Sequence, residues 1–203
     1  TAPGDTFGIY LHIPFCARRC DYCAFATWTD RDHLQQRYLQ ACRVDLQRQV
    51  EDGMPPATSI FVGGGTPSLV AAADLLAVLD AAPRAPGCEV TVETNPAYLD
   101  GGVNRVSLGV QSMVPHVLTA LGRTHDPDNV HRAVELLHHA DVPTFNVDLI
   151  YGAAGETLDD WAHTVDAVLK LDTPHVSAYG LTVEAGTVLA DDPRRHPDDD
   201  DQA

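Results

Sequence analysis

Apolar runs rich in β-branched residues alternate with helically spaced apolar positions along almost the whole chain. Such alternation is the signature of repeated βα units around a parallel sheet. Gly8–Ile13 reads as the first strand. Leu34, Tyr38, Ala41, Leu46 and Val50 give residues 33–51 a near-helical apolar stripe. Strands are predicted at 59–62, 89–94, 105–110, 144–150 and 175–181, and further helices at 70–82, 128–140 and 158–171. Six strands of one repeating type predict an α/β fold, a (β/α)6 partial TIM-like barrel, because parallel strands joined by right-handed crossovers curl. A flat doubly wound sheet is the alternative. In either architecture chemistry gathers at the carboxyl ends of the strands.

One junction breaks the repeat. Only seven residues separate Pro96 from Asn104, whereas a parallel crossover takes about a dozen or more. A crossover helix is therefore missing near residues 97–103, and the expectation is a lost segment rather than a change of strand direction.

The strand ends carry the candidate chemistry. After the first strand come Cys16, Cys20 and Cys23, a spacing at which three thiolates can hold three irons of a cubane [4Fe–4S] cluster and leave the fourth iron open. A structural zinc site is a weaker reading, since it needs a fourth ligand and neither His12 nor His33 stands at a usual spacing. Three clustered cysteines with no apolar leader before them also fit disulfides poorly. Cys42 and Cys88 read as small buried hydrophobes. After the second strand, Gly63-Gly64-Gly65-Thr66-Pro67 lets backbone approach a ligand without Cβ interference. It lacks the G-K-[ST] ending of a phosphate loop and the spacing of a dinucleotide site. Glu93 stands in an apolar strand, where a charge calls for a cation: a ligand amine, Arg105 or Arg123. Asp148 poses the same question, while Gln111 and Arg123 are individually weak signals. His138, His139 and His163 read as exposed helix positions.

Charge narrows the partners. With 29 acidic and 13 basic residues the chain carries a formal net charge of −16, which disfavours nucleic acid and restricts membrane contact to the periphery. No apolar run approaches the ~18 residues of a membrane span, so a soluble, cytoplasmic protein is expected. Residues 191–203, with Asp191, Asp192 and Asp198 to Asp201, read as a solvated acidic tail after a core domain of residues 1–190.

The cysteine spacing joined to a glycine motif one strand later resembles the radical S-adenosylmethionine superfamily. More narrowly, Tyr10-Leu11-His12-Ile13-Pro14-Phe15-Cys16, Phe61-Val62-Gly63-Gly64-Gly65-Thr66-Pro67-Ser68, Asn104-Arg105-Val106-Ser107-Leu108-Gly109-Val110-Gln111-Ser112, Asn146-Val147-Asp148-Leu149-Ile150-Tyr151-Gly152 and His175-Val176-Ser177-Ala178-Tyr179 are similar to the oxygen-independent coproporphyrinogen III oxidase group. The oxidase itself has a fourth cysteine where this chain has Phe25, and an extension before the first strand. Both departures resemble the heme chaperone branch. That resemblance implies a [4Fe–4S] cluster on Cys16, Cys20 and Cys23, with S-adenosylmethionine on the open iron. It implies that Tyr10, Tyr22, Gly64, Gly65, Thr66, Glu93, Gln111, Arg123, Asp148 and Gly180 line the S-adenosylmethionine site. It further implies heme as cargo and heme-accepting respiratory proteins as partners, with a heme-binding segment in a C-terminal domain beyond Ala203. The alternative is a radical enzyme such as the oxidase, and the residues leave open whether the chain catalyses a reaction.

Overall fold

The structure, a computed structural model, describes residues 6–93, 102–124 and 126–197. Its strands are β1 (Gly8–Ile13), β2 (Ala57–Gly64), β3 (Arg84–Glu93), β4 (Arg105–Gln111), β5 (Thr144–Tyr151) and β6 (His175–Gly180). The helices are α1 (Gln35–Glu51), α2 (Ala72–Leu79), α3 (Pro115–Ala120), α4 (Pro127–His139) and α5 (Leu158–Leu169). The strands form one sheet in the order β1-β2-β3-β4-β5-β6. A doubly wound sheet reverses its order at a switch point. Among the described residues this sheet never does, and β6 does not pair with β1, so the fold is the partial TIM-like barrel. The predicted gap at 97–103 falls largely on residues 94–101, which lie outside the described residues, as does Thr94 of the predicted third strand.

Contacts divide the chain into two compact units, Thr1–Ala17 with Ala26–Val106, and Arg18–Phe25 with Ser107–Ala203. In the first unit β1 pairs in parallel with β2, Gly8 opposite Ser59 through Ile13 opposite Gly64. This register starts the cysteine loop beside the triple glycine. β2 pairs in parallel with β3, with a register shift between Ala57 and Ser59. That irregularity lets β3 begin at Arg84, although Pro86 and Gly87 read as turn residues in the sequence. Helix α1 buries Leu39 and half-buries Gln35, Tyr38, Cys42 and Leu46, while Ala41 and Val50 are exposed. The inward stripe is thus rotated from the predicted one: Leu39, Cys42 and Leu46 keep an i, i+3, i+7 spacing from which Ala41 departs, while Val50 follows in phase but lies exposed at the end of the helix. Ile13, Phe15, Ile60, Val62, Leu75, Val90 and Val92 are buried, at roughly 1.5–3 kcal/mol for each large apolar side chain removed from water.

The second unit packs Val114, Val117, Leu121, Ile150, Ala153, Leu181 and Leu189 into one cluster, with Tyr22, Ala120 and Val183 against it. Helix α3 supplies Val117 and has Pro115 in its first turn, where the missing N–H costs nothing. Helix α4 starts on Asp126, whose side chain accepts from Asp128 N, and buries Val130, Val134 and Leu137. A reciprocal box between Thr157 and Asp160 starts α5. β5 pairs in parallel with β6, Asn146 opposite His175 through Tyr151 opposite Gly180. The predicted tail begins with order: Asp192 caps a 3-10 turn over Pro193–Arg195. Its remainder, 198–203, lies outside the described residues.

Candidate functional site

The first unit gathers Tyr10, Cys16, Gly64, Gly65, Thr66 and Glu93. Beyond β1 the chain is pinned by Trp28, which donates from its N to Pro14 O at 2.8 Å and accepts from Cys16 N at 3.1 Å. The turn after β2 fastens to the same segment, with Gly65 N donating to Ile13 O and Thr66 N to Phe15 O, each at 2.7 Å. A Cβ on Gly65 would lie 2.5 Å from Phe15 O, 2.8 Å from Ile13 O and 3.0 Å from Cys16 Sγ. Glycine is required there by the approach of two backbones. Thr66 Oγ1 donates to Cys16 Sγ at 3.8 Å.

Glu93 ends β3 beside this turn, where its Oε2 accepts from Gly64 N at 3.0 Å. Arg105, one of its predicted partners, places Nη1 3.8 Å from Glu89 Oε1. Gly64 adopts φ +110°, and a Cβ on it would strike the His12 ring. That ring bridges Ala26 O and Tyr10 Oη, each at 2.9 Å. A carbonyl only accepts, so the network assigns the proton to Nε2 and makes Nδ1 the acceptor of the Tyr10 hydroxyl. Burial, and then the Glu93 charge, push the Tyr10 hydroxyl above the ordinary tyrosine range.

The second unit gathers Cys20, Tyr22, Cys23 and Arg123. Cys23 N donates to Cys20 O at 3.1 Å, closing a tight turn. Arg19 Nε donates to Cys23 O at 3.0 Å. The Arg123 guanidinium donates from Nη1 to Cys20 Sγ at 3.5 Å and from Nη2 to Gly109 O at 2.7 Å. Tyr22 is pushed up to about 12, chiefly by burial and against the opposing pull of Arg123. Gln111 ends β4 nearby, and its Nε2 lies 3.1 Å from where a Gly109 Cβ would stand. This buried glutamine adopts φ +66°, a left-handed backbone that costs about 1 kcal/mol or more outside glycine and clusters at binding sites.

Asp148 belongs to a separate polar ladder across three strands. Its Oδ1 accepts from Asn146 Nδ2 at 2.7 Å and its Oδ2 from Ser107 Oγ at 2.8 Å. Asn146 Nδ2 also donates to Ser107 Oγ at 3.0 Å, while Asn146 Oδ1 accepts from Ser177 Oγ at 3.1 Å. Gly180 ends β6 opposite Tyr151. His12, Ser107 and Asn146 escaped the sequence reading as site-forming residues. Only the first had a usable signal: Tyr10 and His12 sit two apart on β1 and so share a face.

All five cysteines are free thiols. Cys42 is half-buried and Cys88 buried, and burial raises both thiols above their ordinary range. His138, His139 and His163 are exposed. Among the described residues no three His, Cys, Asp or Glu side chains converge as they would on a single metal ion. A cubane offers its irons at separate corners, so its thiolates need not converge. The donor set suits one: Cys16 and Cys20 each receive a hydrogen bond on sulfur, which is how proteins tune cluster thiolates. The close fit at Gly65 leaves Cys16 backed by backbone.

A sheet of six strands with a three-cysteine loop after β1, a triple glycine after β2 and the carboxylate of Glu93 at the end of β3 defines the class, and residues 10–168 match the Radical SAM superfamily. The chain belongs to that superfamily. It is 40% identical over 219 positions to the heme chaperone HemW of Mycobacterium tuberculosis (strain ATCC 25618 / H37Rv), an alignment covering 98% of this chain and 56% of that protein. HemW of Escherichia coli (strain K12) is 34% identical over 207 positions, covering 95% and 55%. These relatives bear out the resemblance to the coproporphyrinogen-oxidase-like group and its heme chaperone branch. Coproporphyrinogen III oxidase (HemN) from Escherichia coli superimposes with a TM-score of 0.80 at 24% identity, over 97% of this chain and 48% of that one. That likeness establishes the fold. The chain spans about half the length of the curated relatives it matches. The 219 aligned positions exceed its 203 residues by 16, so at least that many residues of the mycobacterial relative have no counterpart here. Among the described residues no helix is long and apolar enough to cross a membrane.

Proposed function

We propose that this chain is the cluster-bearing part of a cytoplasmic heme chaperone, which binds heme as cargo and passes it to respiratory hemoproteins. The observation that carries the reading is the 40% identity to HemW along 98% of the chain, joined to a cysteine loop whose sulfurs already accept hydrogen bonds from Thr66 and Arg123. In this reading Cys16, Cys20 and Cys23 hold a [4Fe–4S] cluster with S-adenosylmethionine at its open iron. The cluster, when bound, supplies one-electron chemistry.

The chain's own residues bind and orient. Glu93, fixed by Gly64 N, offers a carboxylate to the ligand's amine beside the glycine carbonyls. Thr66 and Arg123 orient the Cys16 and Cys20 sulfurs by donating hydrogen bonds to them. Asp148, with both carboxylate oxygens already fixed by neutral donors, presents its remaining lone pairs to ribose hydroxyls. Tyr10 from the first unit, and Tyr22, Gln111 and Gly180 from the second, are the further residues assigned to S-adenosylmethionine in this reading.

Supplying the reconstituted protein with hemin and then with an apo-hemoprotein acceptor tests the reading. Stoichiometric heme uptake followed by transfer, with coproporphyrinogen III left unconverted in the presence of reductant and S-adenosylmethionine, is expected. Conversion of coproporphyrinogen III would instead make the protein a radical enzyme.

A further inference from the structure

Asp21 stands between two of the cysteines and is held from four directions, all within the second unit. Its N donates to Leu121 O at 3.3 Å, and its O accepts from Leu189 N at 2.9 Å. Arg195 Nη2 donates to its Oδ2 at 2.7 Å and to Ala120 O at 2.6 Å. Gly122, at φ +71°, lies so close that a Cβ there would strike the Asp21 carboxylate. The ion pair is mostly shielded, with side-chain exposures of 25% for Arg195 and 20% for Asp21. Leu189, which brings the C-terminal segment to this point, is itself in the apolar cluster that packs Tyr22. The turn carrying Cys20 and Cys23 is thereby held by a side chain 174 positions away. Arg194, next to it, behaves differently: 88% exposed, it pairs with Asp192.

We propose that Arg195 is a positioning residue for the cluster loop, which through Asp21 fixes the Cys20–Cys23 turn in the form that ligates iron. The role rests on the cluster reading given above. Tyr22 anchors the loop on the apolar cluster, but Arg18, Arg19 and Asp21 bring no apolar surface to fix the turn itself, and its thiolates can ligate only if their backbone is ordered before the cluster arrives. Arg195 supplies that order from one nitrogen, its Nη2, which donates both to the loop's carboxylate and to the carbonyl that ends α3, so loop and helix are held by a single planar group. Outer partners of this kind typically change metal affinity 10- to 100-fold when removed.

Two measurements on Arg195→Ala, Arg195→Lys and Arg194→Ala decide the matter. In the metal-free chain, Arg195→Ala should speed hydrogen exchange at Asp21 and Cys23 about tenfold, with Arg194→Ala unchanged and Arg195→Lys between them. In the reconstituted chain, Arg195→Ala should lose its cluster to a chelator about tenfold faster and broaden the electron paramagnetic resonance of the reduced cluster. Arg195→Lys should restore most of both. Equal exchange and equal cluster loss in Arg195→Ala and Arg194→Ala would overturn the proposal even where the parent holds a cluster. A parent chain that takes up no cluster would overturn the cluster reading and with it the role given to Arg195.

Discussion

The Cys16 side of the candidate site is built mainly from backbone, while the Cys20–Cys23 side is built mainly from side chains, two of which, Arg123 and Arg195, arrive from far along the chain. Around Cys16 the contacts are carbonyls of Ile13 and Phe15, amides of Gly65 and Thr66, and a glycine with no room for a methyl group. Around Cys20 and Cys23 they are the guanidiniums of Arg19 and Arg123, that of Arg195 acting through Asp21, and the ring of Tyr22. Backbone contacts set by strand register tolerate almost any side chain except at the point of closest approach. Side-chain contacts can be lost one at a time. The first side should therefore fail abruptly at one position, and the second gradually at several.

The largest expected effect is at that point of approach. Gly65→Ala would drive a methyl group into two carbonyl oxygens that cannot turn away, costing about 2 kcal/mol and displacing Cys16. A thermal melt and the iron content after reconstitution should both fall. Should Gly65→Ala melt and load like the parent, the contrast between the two sides is void.

A smaller effect is expected in the polar ladder of the second unit. Ser107→Ala removes a donor to Asp148 and an acceptor for Asn146, at about 1 kcal/mol or somewhat more. Urea unfolding should show a lower midpoint with an unchanged slope. A changed slope would mean that the ladder orders more than its own residues.

The smallest effect concerns Glu156, in the turn between β5 and α5. Its Oε2 accepts from Gly152 N at 2.7 Å and Ala153 N at 3.1 Å, and its Oε1 is buried with no hydrogen-bond partner among the described residues. Burial raises this carboxyl above the ordinary range. A raised folded-state value means that stability from the neutral form is complete below the ordinary carboxylate range and is lost as pH rises through the raised value. Glu156→Gln should therefore gain on the parent in melting temperature between acid and neutral pH. A constant difference would contradict this.

Most of the fold was legible because burial imposes periodicity: nine of its strands and helices begin and end within about three residues of where the apolar pattern puts them, and β3 starts five residues earlier, beyond its register shift. Helix α3 escaped because six residues span under two turns and show no repeat. The α1 stripe differs from its apolar pattern because Ala41 is apolar yet faces water and Val50 lies at the exposed end of the helix, and the inward side is defined by tertiary partners, α2 and the His12–Phe15 segment that Tyr38 meets. The three cysteines and three glycines were legible as local spacing. The contact of Arg195 with Asp21 was not, since no local pattern marks a partner 174 residues distant. Nor was the left-handed Gln111, whose backbone strain is a property of the folded strand end.

The central claim is that Cys16, Cys20 and Cys23 hold one cluster whose fourth iron takes S-adenosylmethionine. Electron paramagnetic resonance of the anaerobically reconstituted, dithionite-reduced chain, with and without S-adenosylmethionine, tests it directly. The account predicts a [4Fe–4S] signal that shifts when S-adenosylmethionine is added, vanishes in Cys16→Ala, Cys20→Ala and Cys23→Ala, and survives in Cys42→Ala and Cys88→Ala. A signal that persists in all three loop variants, or that ignores S-adenosylmethionine, would contradict it.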